Sequence, residues 1–301
     1  MMGIPKYPKV LAIGHRTIAK LFDGPVEVTE KIDGSQFSFG KPAGELVCRT
    51  RRTNLVVDLP DSMFRPAVEH VKTVEHLLDP DFAYFGETLA KPKHNVLAYD
   101  RVPKGHVALF GVMDIRSKEM LPYKLIEWWA DTLGMDVVAL LDEGVIEPHA
   151  VRDYLTIDSM LGGTTIEGVV IKNYAHDAMI GDAVYYPYLV GKYVSERFKE
   201  RAGNKAYGSK SHKQTLDEYF ASFRTEARWR KAIQHLKEDG TFLGEPKDIG
   251  PLIKEIQLDF IAEELDNVKA RLWKEYQKHI MSSLTKGFPE WFKEQLLEGK
   301  L

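Results

Sequence analysis

An α+β fold is the architecture this chain predicts, on three observations. Between Val26 and about Val194, short runs rich in β-branched and aromatic residues alternate irregularly with a few helical segments. At Arg201–Gln214 apolar residues nearly vanish while Gly, Ser and Lys accumulate, and beyond that stretch the periodicity is helical. Because helices do not separate the strands regularly, a doubly wound parallel sheet is a poor description.

The elements follow in order. In VEVTEKIDGSQFSFG, Val26, Val28, Ile32, Phe37 and Phe39 give a broken period of two around Asp33-Gly34, which reads as two short strands joined by a tight turn. FAYFGET, HVALFGVMDI, IEGVVIKNY and AVYYPYLVGKYV are further strands, whereas DSMFRPAVEHVKTVEHLL and LPYKLIEWWADTLG carry helical spacing. In the tail, Thr215 and Glu218 have capping-box spacing, and a stripe through Phe220, Phe223, Ala227, Ile233 and Leu236 predicts a helix ended by Gly240. Ile253, Ile256, Phe260, Leu265, Val268, Leu272 and Tyr276 mark a long amphipathic helix, and Pro289 opens a last short one. The division is therefore a mixed domain over residues 1–205 and a small helical domain over 206–301.

With 301 residues and 44% hydrophobic content the chain can bury a sizeable core, and its length favours two domains. A net charge of -3 gives no whole-chain attraction to polyanions, so nucleic-acid binding would need a local basic surface. The single cysteine, Cys48, lies in an apolar run and reads as a buried structural thiol in a reducing compartment. No apolar run approaches membrane-spanning length and the N-terminus lacks the apolar core of a signal peptide, so a cytoplasmic protein is expected.

Walker loops, Gly-x-Gly-x-x-Gly turns, His-Glu-x-x-His and Cys-x-x-Cys are all missing. What remains is Lys31, Arg49, Glu87, Glu167, Lys172 and Lys192, each set inside an otherwise apolar run. Buried charges must be paired, so both signs spread over several strands suggest one polar pocket lined by a sheet. Carboxylates that hold a divalent ion, with cations that offset phosphoryl oxygens, point to phosphoryl or nucleotidyl transfer.

In sequence order, TEKIDGSQF, CRTRR, YFGET, LFGVMD, EGVVIK and VGKYV resemble the motifs of the covalent nucleotidyltransferase superfamily, the ATP-dependent DNA and RNA ligases and mRNA capping enzymes. Thr-Glu-Lys-Ile-Asp-Gly looks most like the RNA ligase 2 type, and a helical tail in place of a strand-rich OB-fold points the same way. The resemblance covers about Val26–Lys199 and implies an antiparallel-sheet, ATP-grasp-like ligase domain followed by a small all-helical domain. It implies ATP and Mg²⁺ or Mn²⁺ as cofactors and RNA as partner, nicked duplex and RNA/DNA hybrid included. The protein would be a cytoplasmic monomer with no membrane association, and phage encoding with action in host cytoplasm fits the same pattern.

On this resemblance Lys31 is the nucleophile that takes AMP from ATP, and the AMP passes to a 5′-phosphate before a 3′-hydroxyl displaces it. A lysine with a pKa near ~10.4 is neutral about one time in a thousand at physiological pH, so nearby cations must depress it, and Lys172 and Lys192 are placed to help. Thr29, Glu30 and Ile32 would border the nucleotide, Glu87 would take a ribose hydroxyl, Phe110 would stack on adenine and Glu167 would bind metal. Arg49 would hold phosphate or a strand's 3′-end, with Arg51 and Arg52 close enough to leave that register open. On sequence alone an aromatic in LFGVMD is more often core than stacking platform. Gln36 stands where the first motif usually has Asn, and Lys192 is alone where the last usually has Lys-x-Lys, with Val190 or Val194 in the other place.

From Lys192 to Lys213 a basic run includes Arg197, Lys199, Arg201, Lys205 and Lys210, with Tyr193, Phe198 and Tyr207 interspersed. It can track a phosphate backbone or serve as a solubilising linker. Gln36, Arg51, Arg52, Arg197, Lys199 and Lys210 are the nucleic-acid-contact candidates. A DNA-joining ligase with a non-OB tail, a capping guanylyltransferase and a repair subunit that binds without catalysis are the alternatives.

Overall fold

A computed structural model describes residues 3–60, 63–180, 184–195, 198 and 212–298. The chain opens with β1 (Leu11–Ala12), β2 (Val26–Lys31), β3 (Ser35–Gly40) and β4 (Val47–Thr50), followed by helix α1 (Arg65–Val74). Next come β5 (Phe82–Thr88), β6 (Val107–Asp114), α2 (Tyr123–Thr132), β7 (Asp136–Val137) and β8 (Leu140–Gly144). The strands end with β9 (Gly168–Asn173), β10 (Ala178–Ile180), β11 (Val184–Tyr186) and β12 (Leu189–Val194). Helices α3 (His212–Ala221), α4 (Glu226–Glu238), α5 (Ile249–Leu284) and α6 (Phe288–Leu297) complete the described chain.

Two five-stranded sheets form, in the orders β1-β12-β9-β2-β8 and β4-β3-β5-β6-β7. Pairing is antiparallel except for β1 with β12 and β6 with β7. The expected turn after Lys31 is present, but β2 and β3 do not pair with each other. The chain crosses there from one sheet to the other, so β2 finds its partners in β8 and β9.

Alternation of side chains gives each sheet two faces. Phe37, Phe39, Tyr84 and Leu109 of the second sheet pack beneath α1 and α2 against Val68, Val71, Ile126 and Trp129. Val26, Val28, Val169, Ile171 and Leu189 of the first sheet bury an opposite core with Leu11, Leu21 and Ile146. Between the sheets lies a third cluster, with Ala83 and Phe85 from one side and Val190 from the other, and Val47, Phe110 and Val170 packed against it. Cys48 is fully buried and burial pushes its thiol up to about 12, as a structural cysteine requires.

The chain divides into two units, Met1–Ile256 and Gln257–Leu301. The boundary expected at 205/206 lies outside the described residues, and α3 and α4 belong to the strand-bearing unit. α3 begins at His212, so Thr215 sits within the helix instead of capping it. The stripe read as one helix is interrupted after Ala221, and α4 starts anew from Thr225, whose hydroxyl accepts the Arg228 N–H. Pro289 lies in the first turn of α6, as its fixed φ favours. Among the described residues, no helix is long and apolar enough to cross a membrane.

Candidate active site

The same alternation places the charged residues. Along β2, Val26 and Val28 face the outer core, so Glu27, Thr29 and Lys31 face the layer between the sheets. On β9 and β12, Lys172 and Lys192 share the inner face with Val170 and Val190. Opposite them, Glu87 shares a face of β5 with Ala83 and Phe85, and stands in register with Gln36 of β3. The inter-sheet layer thus gathers Lys31, Glu167 and Glu87 at one end, while at the other Lys172 and Glu27 are set among the apolar cluster.

At the first of these ends Lys31 Nζ donates to Glu167 Oε2 at 2.7 Å, with 27% of the lysine side chain exposed and 8% of the glutamate's. Glu167 precedes β9, and Gly168 pairs with Lys31 across the ladder. A Cβ on Gly168 would collide with the Tyr193 carbonyl, so the glycine lets β12 approach beside the carboxylate. Burial by itself would lower the Lys31 pKa, but the Glu167 and Glu87 charges, together with the Glu167 hydrogen bond, carry it upward against Lys192. The surrounding carboxylates therefore favour the ammonium form of Lys31. The cation effect expected to depress it comes from Lys192, the weakest of these influences.

Glu87 is pushed up to about 8, chiefly by burial, with Lys31 opposing and Glu167, Glu238 and Asp33 adding to the rise. Glu167 is raised by burial too, with Lys31 opposing. The buried Glu167 and half-buried Glu87 carboxylates are hard oxygen donors of the kind Mg²⁺ or Mn²⁺ takes, although no group of three or more such ligands forms among the described residues.

The turn after Lys31 is fastened from its far side. Asp33 Oδ2 accepts the Val96 and Leu97 N–H groups at 2.8 and 2.7 Å, and the Asp33 N–H donates to Tyr99 Oη at 2.8 Å. A Cβ at Gly34 would stand 2.7 Å from the Thr88 carbonyl and 2.8 Å from Glu87 Cγ, so only glycine allows the turn to lie against β5. Ser35 Oγ lies 3.1 Å from His94 Nε2. The Ala90 N–H donates to His94 Nδ1, which leaves the proton on Nε2, so the imidazole donates to the hydroxyl and cannot act as its base. Burial holds that histidine down to about 4. Tyr99, Asn95 and His94 have no signature in sequence, because their role depends on a loop returning to a turn about sixty residues earlier.

Lys172 is 1% exposed; burial lowers it to about 8, against the pull of Glu27, and its Nζ donates to the Phe110 carbonyl at 2.6 Å. Phe110 is the extra residue of a β-bulge, since Phe85 pairs with Gly111 and Gly86 with Leu109. The bulge re-aims its ring, which is half-buried and edge-on to Tyr7 at 4.8 Å between centroids. Arg49 is buried between backbone carbonyls, donating to Ile4 and Thr50, each at 3.3 Å. Burial lowers its pKa.

Other candidates have different surroundings. The Glu30 carboxylate accepts from Ser159 Oγ at 2.5 Å and the Met160 N–H at 3.0 Å, so it holds a loop. Ile32 packs in an apolar cluster with Leu89, Leu97 and Tyr99, and Thr29 Oγ1 donates to the Val170 carbonyl at 3.3 Å. Arg51 is exposed. Arg52, one of the nucleic-acid-contact candidates, pairs in both directions with Glu255 and reaches Asp239 at 3.3 Å. Arg197, Lys199 and Lys210 lie outside the described residues.

The family model for RNA ligase matches residues 24–184, more than half of the chain. The chain belongs to the RNA ligase family. The match takes in Lys31, Arg49, Glu87, Phe110, Glu167 and Lys172 and stops before Lys192. Among solved structures it is similar to a Naegleria gruberi RNA ligase with PPi, at 16% identity and TM-score 0.46, covering 64% of this chain and 56% of that one. A point mutant of the same enzyme with ATP and Mn gives 18% identity and TM-score 0.47 over the same shares. A protein provisionally named an ATP-dependent DNA ligase, from Aquifex aeolicus, gives 15% identity and TM-score 0.45, covering 97% of this chain and 68% of that one. The chain thus spans little more than half the length of the Naegleria enzyme it matches. No curated protein sequence matches it.

Proposed function

We propose that this chain is an ATP-dependent RNA ligase of the RNA ligase 2 type, joining a 3′-hydroxyl to a 5′-phosphate through a Lys31-AMP phosphoramidate and a 5′-adenylylated strand. The observation that carries the reading is Lys31 at the mouth of the inter-sheet layer, 2.7 Å from a buried Glu167 and beside Glu87. A strand-end lysine set between a buried and a half-buried carboxylate is the kind of perturbed group that marks a functional site.

In this reading Lys31 Nζ must shed a proton before it attacks the α-phosphorus of ATP, and Glu167 Oε2, raised by burial, is the acceptor at hand. The new N–P bond forms as the bond to the β-phosphate breaks and pyrophosphate leaves. Arg49, Lys172 and Lys192 supply the positive charge that offsets the phosphoryl oxygens, Glu87 takes a ribose hydroxyl and the re-aimed ring of Phe110 stacks on adenine. Glu167 and Glu87 would hold the divalent ion, which when bound neutralises phosphate charge. RNA ends in a nick or hybrid are the substrate, and the protein acts as a cytoplasmic monomer.

The test is intact mass after incubation with ATP and Mg²⁺, with peptide mapping. An AMP-sized increase on the Lys31 peptide is expected; unmodified protein that gains none overturns the reading. Sealing of matched nicked RNA, DNA and hybrid duplexes then separates RNA from DNA joining.

A further inference from the structure

Helix α4 reaches back across 200 residues of sequence to the turn that follows Lys31. Gln234 Nε2 donates to the Gly34 carbonyl at 2.9 Å and to Glu238 Oε1 at 2.8 Å. Glu238, one turn further along the same face, is 8% exposed and accepts from the Ser35 hydroxyl. Two consecutive turn residues, Gly34 and Ser35, are therefore gripped by one helical face, while Asn95 Nδ2 donates to the same Gly34 carbonyl at 2.7 Å from the other side.

This arrangement is more than helix packing. Apolar contact would dock α4 without a buried carboxylate, whose burial carries a cost that the hydrogen bonds from Ser35 and Gln234 offset in part. Both lone pairs of the Gly34 carbonyl are satisfied, one by the loop and one by the helix, which defines the position of the peptide in two directions. Three residues before Gly34 stands Lys31, and reacting groups tolerate little misplacement.

We propose that Gln234 and Glu238 are positioning residues for the Lys31 nucleophile. On the functional reading above, on which this rests, α4 then takes part in formation of the AMP adduct itself and not only in engaging the strands. The recipient of their influence is the 33–35 turn, and neither side chain touches the reacting atoms.

Single-turnover adenylylation, followed by mass, reads the effect. Gln234→Ala and the isosteric Gln234→Glu are expected to slow adduct formation about tenfold to a hundredfold, with the ATP KM within about twofold of wild type. Glu238→Ala should fall similarly, and Glu238→Gln should recover most of the rate because its amide oxygen still accepts from Ser35. Thermal melting shows whether each variant is folded, and Gln234→Glu, which keeps the side-chain volume, serves if Gln234→Ala is not. Wild-type rates in a Gln234 variant overturn the proposal, as does a change confined to KM, which would make the helix a wall of the ATP site. If wild-type protein forms no adduct, the functional reading falls and takes this proposal with it; equal rates in wild type and variant defeat the proposal alone.

Discussion

Lys31 and Lys172 lie on the same inner face of one sheet, on neighbouring strands, and their environments push them in opposite directions. Lys172 is the more deeply buried; it is lowered to about 8 and spends its Nζ on a backbone carbonyl. Lys31 keeps 27% of its side chain exposed and is carried upward by Glu167 and Glu87. The ladder explains the difference. Lys31 pairs with Gly168, next to Glu167, whereas Lys172 pairs with Glu27 at the other end of β2, where the Glu27 carboxylate is already engaged by the Tyr123 N–H and Tyr174 Oη. The position of carboxylate oxygens, more than depth, decides which lysine is carried upward and which is lowered.

The largest expected effect separates the two at once. Lys31→Ala should abolish the AMP adduct, whereas Lys172→Ala should slow adduct formation and leave the modified peptide unchanged. Mass mapping of both variants reads the result, and an adduct that persists without Lys31 would reverse the assignment.

Next in size is the buried charge. Lys172 has a folded pKa of about 8 against 10.5 for the unperturbed side chain, so between those values the unfolded chain binds more protons. Stability from this group therefore rises as pH climbs from about 8 toward 10.5, and is lost as pH falls back through 8. Relative to Lys172→Met, wild type should gain on the order of 3 kcal/mol across that window, measured by denaturant titration at several pH values. Parallel curves for the two proteins would show that Lys172 is not desolvated.

Removing a carboxylate sharpens the comparison from the other lysine. Glu167→Gln takes away the largest upward influence on Lys31, so its pKa falls and the rising limb of the adenylylation pH profile moves to lower pH. The maximal rate should nonetheless drop about a hundredfold, because the proton acceptor at 2.7 Å is gone. A profile that keeps its midpoint would detach Glu167 from the nucleophile.

Much of this was legible in sequence for a physical reason. Alternation reports burial, so the strands, the buried Cys48 and the charged residues at strand ends could be read directly. Alternation does not say which of two apolar layers a face meets, so the hold of the Glu30 carboxylate on Ser159 and the Met160 N–H could not be read from it. Nor does it give pairing partners: the same pattern around Asp33-Gly34 serves a hairpin or a crossing between sheets. In the tail, capping-box spacing at Thr215 competed with helix propensity upstream, and the break at Thr225 was hidden because the apolar stripe runs through it. Contacts made across long separations, such as Arg52 with Glu255 and Gln234 with Gly34, leave no local trace.

Arg52 provides the smallest effect and the control for the whole comparison. It too is a cation in close pairing with a carboxylate, yet Glu255 lies 203 residues away on α5, outside the inter-sheet layer, and 35% of the arginine side chain is exposed. If close pairing alone marked a reactive cation, Arg52→Ala would slow adenylylation as strongly as changes around Lys31. Solvent screening and side-chain entropy limit such a pair to about 1 kcal/mol, a modest loss of melting temperature. The AMP adduct should form on Lys31 at a rate close to wild type. A large loss of rate in Arg52→Ala would instead mean that the contact from the segment after β4 to α4 and α5 governs the site, with Gln234, adjacent to His235 on α4, as the route.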